Sequence, residues 1–229
     1  MHKQSMNAYA FVFHGADLVA LPSGALHWPD RGLLVVSDLH LGKSARLSAV
    51  GGAALPPYDA RETLTRLEAT LDATAARAVI CLGDSFDADG IAECLPEAEI
   101  DRILRLQAGR DWTWIEGNHD PGPVALGGTH ARDVRAGPLV FRHIAARGGA
   151  GEVSGHYHPK ARLLARGRAL SCPCFLVDDD RLILPAFGAY TGGLRTDSPT
   201  LDRLMGPGAR AILTGRRAVA IPMPRRQAG

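Results

Sequence analysis

Three short apolar runs in the first half of the chain each end in side chains that bind cations or phosphate, and this recurrence limits the folds open to it. Leu33-Leu34-Val35-Val36 is followed by Asp38 and His40, Ala78-Val79-Ile80-Cys81-Leu82 by Gly83-Asp84, and Trp112-Thr113-Trp114-Ile115 by Gly117-Asn118-His119-Asp120. Continuous apolar runs of strand length belong to strands covered on both faces, as in a parallel sheet. Between the first two, Asp59 suits an N-cap, Glu62 stands where a capping box places its acid, and Leu64, Leu67 and Leu71 form a stripe at helical spacing. Between the second and third, Ile91 to Leu106 is broken at Pro96, so its second half reads as a helix. Strand, helix, strand connections set successive strands parallel and bring their carboxyl ends to one edge. Asp38, His40, Asp84, Asn118 and His119 are therefore expected at a common rim. Residues two apart in extended backbone point the same way, so Asp38 and His40 should face one point while Leu39 turns into the core. Lys43 to Pro57, with its glycines, prolines and small residues, reads as a surface loop.

Either side of this block the pattern changes. Phe11 to Phe13, Leu18 to Leu21 and Ala25 to Trp28 are short pieces split by His14-Gly15 and Ser23-Gly24, which predicts a meander at the edge of a sheet. After Pro121, the runs Leu139–Phe141, Val153-Ser154, Cys174–Val177, Arg181–Leu184, Ala211–Leu213 and Ala218–Ile221 predict a mostly antiparallel second sheet packed on the first. Two of these runs also end in imidazoles, at Phe141-Arg142-His143 and Ser154-Gly155-His156-Tyr157-His158. No repeat or linker divides the chain, so residues 1–229 read as one α/β domain with residues 222–229 as a frayed basic tail.

Composition sets the class of protein. With 46% apolar and 22% charged residues the 229-residue chain is globular in character. It lacks a convincing signal peptide or an apolar stretch of about 20 residues, so a cytoplasmic protein with no membrane attachment is expected. Cys81, Cys94, Cys172 and Cys174 form no spaced zinc pairs and read as reduced thiols, Cys172-Pro173-Cys174 included. The net charge of +2 conceals a gradient: residues 160–229 carry 12 Lys and Arg against 5 Asp and Glu. Such a surplus suits either a polyanionic partner or a solvated surface.

The candidate ligands are Asp38, His40, Asp84, Asn118, His143, His156 and His158. Oxygen and imidazole donors without thiolate suit manganese, iron or zinc. Seven donors are too many for one ion and suit two that share a carboxylate. Two adjacent divalent ions favour displacement at phosphorus, because they acidify a water and polarise the phosphoryl oxygens. His119, spare in the ligand count, is then the candidate general acid. Asp87 and Asp89 read at least as well as solvated loop acids as they do as direct participants. His130 competes with His143 but sits in a glycine-rich turn, and His14 and His27 lie outside every cluster.

In this order, Asp38-x-His40, Gly83-Asp84-x-x-Asp87, Gly117-Asn118-His119-Asp120, His143 and Gly155-His156-x-His158 resemble the motifs of the calcineurin-like metallophosphoesterases. The resemblance implies a four-layer α/β/β/α sandwich of two packed mixed sheets flanked by helices. It also implies one ion on Asp38, His40, Asp84 and His158 and another on Asp84, Asn118, His143 and His156, with Asn118 and His119 at the substrate phosphate. Further stretches, Ser37 to Lys43, Leu55 to Asp59, Gly83 to Phe86 and Leu184 to Gly193, are similar to the bacterial ligase-associated DNA damage response endonucleases. That similarity implies manganese-dependent DNA phosphodiester cleavage in repair, beside a DNA ligase and a helicase. One departure stands out, since that group usually has His where this chain has Asp87. The other readings are a nucleotide or phosphomonoester substrate on the same two ions, and a metal-bearing scaffold with no chemistry. Arg162, Arg166, Arg168 and Arg195 are placed as DNA contacts from position alone.

Overall fold

The computed structural model describes residues 7–49, 58–88, 90–122, 125–146, 148–165 and 167–226. The chain opens with antiparallel strands β1 (Tyr9–Phe13), β2 (Ala16–Ala20) and β3 (Leu26–Trp28), which lead into β4 (Leu33–Val36). Helices α1 (Lys43–Ala49) and α2 (Asp59–Thr74) then precede β5 (Ala78–Cys81), parallel to β4. Helix α3 (Glu97–Gln107) precedes β6 (Asp111–Ile115), and β7 (Thr129–Ala131) continues the parallel run. These strands lie in the first sheet in chain order.

The second sheet is built from β8 (Asp133–Ala136), β9 (Leu139–Arg142), β10 (Glu152–Ser154), β11 (Lys160–Ala165), β12 (Arg168–Val177) and β13 (Arg181–Ile183), then α4 (Pro199–Leu204), β14 (Arg210–Leu213) and β15 (Val219–Pro222). Its order is β15-β14-β12-β13-β10-β9-β8, with β11 paired to β12 as a hairpin and bridged at Lys160 to Arg195. All pairs are antiparallel except those of β10 with β9 and β13.

Strand alternation sorts the apolar residues into layers. Leu33 and Val35 of β4, Ile80 of β5 and Ile115 of β6 join Phe141, Phe175, Val177 and Leu182 in a core between the sheets. The alternate residues Leu34, Val36, Val79, Cys81, Trp112 and Trp114 meet Leu64, Leu67 and Leu71 of α2 and Ile103 and Leu106 of α3. A third core holds Cys174 and Leu176 of β12 with Leu201 and Met205 beneath α4. The result is the expected α/β/β/α order, with a thin outer layer on the second sheet. Each fully buried Leu, Val or Phe contributes roughly 1.5–3 kcal/mol.

Several local expectations are corrected. Lys43 to Ala49 is helix rather than loop, and residues 50–57 lie outside the described residues. Asp59 does not cap α2: Tyr58 occupies the cap position, and the Asp59 carboxylate accepts from Ser44 N at 3.1 Å and from Ser44 Oγ. A tertiary partner on α1 thus wins over the local cap. β7 and β8 escaped the sequence reading because their apolar character is slight, and β11 because two cations interrupt its apolar residues; His130 lies in β7 opposite Trp114, not in a turn. The described part of the expected tail is not frayed. Met223 is buried and Arg225 donates to Asp202 Oδ1 at 2.7 Å, while residues 227–229 lie outside the described residues.

Candidate metal centre

The turns after β4, β5, β6, β9 and β10 meet along one rim between the sheets. Asp38, His40 and His158 offer one ligand atom each within 4.8 Å of one another, and Asp84, His143 and His156 do the same. Asn118 joins the second group, its Oδ1 3.0 Å from His143 Nε2. The structure brings all seven candidate donors together in one region, by a different local geometry from the extended one expected. Asp38 (φ 53°), His40 (45°), Asp84 (47°), His156 (69°) and His158 (46°) are all left-handed rather than extended. Backbone in this region costs about 1–3 kcal/mol per residue and persists where surrounding contacts enforce it.

Those contacts are present. Leu82 N donates to Val36 O, Asp38 N to Gly83 O and His40 N to Asp84 O, which joins the first two turns. Phe187 N and Gly188 N donate to Ser37 O and Asp38 O from the loop after β13. Asp120 ties the second turn to the third: its carboxylate accepts from the backbone N–H groups of Asp84 (2.9 Å), Gly117 (3.1 Å), Ser85 (2.7 Å) and Phe86 (3.1 Å). Burial pushes that carboxyl up to about 6, with the N–H groups of Phe86, Ser85 and Asp84 working against it and the Asp84 charge adding to it. At Gly155 a side chain is impossible without displacing its neighbours, since a Cβ would strike Ser37 Oγ and the Asp38 carboxylate.

The direction of the lone pairs fits a pair of cations. His143 Nδ1 lies 2.7 Å from Leu82 O, so the ring carries its proton there and turns the Nε2 lone pair toward Asn118 Oδ1 and toward Asp84 Oδ2 at 3.3 Å. In the other group His40 Nδ1 lies 2.9 Å from Asp87 Oδ1, leaving its Nε2 directed at His158 Nε2, 3.4 Å away, which is itself 3.0 Å from Asp38 Oδ1. Acceptors that face acceptors repel unless a proton or a cation lies between them.

The facing groups also shift one another's protonation. Burial works to raise the pKa of Asp38, but the His158 bond and the charges of His158 and His143 outweigh it and bring it below the usual carboxylate range. Asp84 is likewise lowered, against burial, by His143 and by the His119 N–H. His143 is raised despite burial, through its Asp84 bond and the charges of Asp38 and Asp84. His156 is lowered, by burial first and by the His143 charge second.

His119 stands at the mouth of this array. Its backbone N donates to Asp84 Oδ1 at 2.9 Å, its Nδ1 lies 3.1 Å from Asp87 O, and its ring meets that of His40 edge-on with centroids 5.3 Å apart. The reading of Asp87 as a solvated loop acid is corrected. It is buried, faces His40 with one oxygen and takes Arg46 Nε with the other. The spacing in Gly83-Asp84-x-x-Asp87 was the available signal; the support given by Asp120 had none beyond its place after Asn118-His119. Asp89 and Arg166 lie outside the described residues. His130 belongs to neither group, and Cys172 and Cys174 are free thiols.

Comparison with known proteins agrees with this geometry. The family model for calcineurin-like phosphoesterases matches residues 32–172. The chain belongs to that family. The matched span begins just before β4 and includes every member of the two donor groups. Among solved structures, a nuclease MPE from Pseudomonas putida superposes with a TM-score of 0.73 at 28% identity, covering 94% of this chain and 100% of that one. No curated protein matches. Members of this family use divalent metals, and the two donor groups are the candidate sites for them here. No helix among the described residues is long and apolar enough to cross a membrane.

Proposed function

We propose that this phosphoesterase is a DNA endonuclease that hydrolyses phosphodiesters with two divalent ions, manganese foremost and iron or zinc as alternatives. The observation that carries the reading is the pair of donor groups on one rim, with His119 beside both and no thiolate among them. Asp38, His40 and His158 would hold one ion, His143, His156 and Asn118 the other, and Asp84 would serve both. Bound there, the ions would activate water as nucleophile and offset charge on the phosphoryl oxygens.

The protein's own part is positional and acid–base. Asn118 is exposed at the rim and offers its amide to the phosphoryl group. His119 is oriented by Asp87 O through Nδ1, which leaves Nε2 to give a proton to the departing oxygen. The likeness to a nuclease and the cationic C-terminal part support a nucleic acid over a small ester. A cytoplasmic repair setting with a DNA ligase and a helicase rests on the sequence words noted above.

Replacing His119 with Ala tests the acid. DNA cleavage should fall by about 10²–10⁴-fold with metal content unchanged, whereas an aryl diester with an acidic phenol leaving group should lose far less. Equal losses on both substrates would remove His119 from that role. Turnover of phosphomonoesters in preference to any diester would replace DNA with a nucleotide-sized substrate.

A further inference from the structure

The β11–β12 hairpin begins two residues after His158, and the described residues of its outer half are mostly exposed. Leu164 is 81% exposed and Leu170 51%. Between residues 160 and 177 the only charged side chains are Lys160, Arg162, Arg166 and Arg168, with no acid among them. An exposed ribbon of one charge sign beside a catalytic centre calls for a partner of the opposite sign.

Register decides which of these cations can serve the centre. Lys160 pairs with Pro173, Arg162 with Ser171 and Leu164 with Ala169, and alternation puts all three on one face. The other face begins with Ala161, fully buried in the core beneath α4, and carries Arg168 at the far end, opposite Ala165. On the first face, Lys160 reaches the loop that borders the metal centre. Lys160 Nζ donates to Thr191 O at 2.8 Å, in the loop whose Gly188 N holds Asp38 O at 3.0 Å. Lys43 opens α1 three residues beyond His40, close in the chain to the same centre. Arg195, by contrast, already has Asp197, with Nε 2.9 Å from Oδ1. Among the described residues Lys43, Lys160 and Arg162 have no carboxylate partner.

We propose that Lys43, Lys160 and Arg162 form a track for the phosphodiester backbone of a nucleic-acid strand entering the metal centre, and that Arg168 and Arg195 take no part. This rests on the nucleic-acid reading of the centre. Lys160 and Arg162 stand about 7 Å apart along the strand, which spaces their charges on the scale of one nucleotide. The track extends contact beyond the scissile group, which separates a polynucleotide from a small ester.

The test is binding of a fluorescent single-stranded oligonucleotide by the metal-loaded full chain across a range of salt, followed by anisotropy, with cleavage of the same strand read in parallel. Arg162→Ala is compared with Arg168→Ala on the opposite face, and thermal midpoints control for folding. Arg162→Ala should weaken binding and reduce the slope of log K against log salt by about 0.7, the value for one single-strand phosphate contact; Arg168→Ala should match wild type. Equal effects of the two variants, or none from either, would overturn the track. Strand binding that depends on Arg162 without any cleavage would keep the track and refute the endonuclease reading. Cleavage with an unchanged slope in Arg162→Ala would do the reverse, and a wild-type chain that binds no strand would refute the track outright.

Discussion

Asp87 stands behind His40, with Oδ1 2.9 Å from the imidazole Nδ1 and the other carboxylate oxygen engaged by Arg46 Nε. Through this contact a residue outside the candidate ligand set orients one inside it. Asp87→Asn keeps the shape but weakens the hold on the Nδ1 proton. Metal affinity should drop by about 10–100-fold, measured by competition with a chromogenic chelator. Unchanged affinity would show that His40 needs no such support.

Asp120 carries structural weight at the same rim. Asp120→Ala leaves the backbone N–H groups of Asp84, Ser85 and Phe86 without their acceptor, while Gly117 N keeps only the Asp120 carbonyl at 3.4 Å. Each buried donor left unpaired costs about 1–3 kcal/mol, partly relieved where water enters. Urea unfolding should show a loss of at least about 2 kcal/mol; a smaller change would mean that the turns hold themselves.

Gly155 is fixed by crowding, not by conformation. Gly155→Ala would press on Ser37 and the Asp38 carboxylate, so overpacking should cost about 1–3 kcal/mol and lower metal content together with stability. Full metal occupancy in the variant, measured by elemental analysis, would contradict this.

A proton on His143 competes with an ion. Its pKa is raised above 6.5, mainly by Asp84 once burial is overcome. In the metal-free protein this contribution to stability is fully present below the ordinary value and is lost as pH rises through the raised one. Metal uptake must displace the proton, so affinity should weaken as pH falls through the same window. Calorimetry at pH 6.5 in two buffers of different protonation heat should reveal proton release on binding; identical heats would argue that His143 is already neutral.

Which residues meet at this rim could be read before the structure, because strand ends are where α/β sheets place their chemistry and the candidate donor types stand there in order. Asp38, His40, Asp84, Asn118, His143, His156 and His158 are together on the rim. What the sequence concealed was how they are held. The left-handed backbone at five of them arises from contacts between turns far apart in the chain, such as Gly188 N with Asp38 O and His40 N with Asp84 O. The role of Asp59 was concealed for the same reason, since Ser44 competes for it through tertiary packing. The faces of the β11–β12 ribbon required a register that no local pattern revealed, and that register separates Arg162 from Arg168.

The most direct measurement is nicking of covalently closed circular single-stranded DNA by the purified chain, in manganese and in chelator, with Asp84→Ala alongside. Cleavage that requires manganese and disappears in Asp84→Ala is the expected result. Cleavage that persists in chelator, or an intact circle under conditions where the same preparation hydrolyses a small aryl phosphate ester, would contradict a metal-dependent DNA endonuclease.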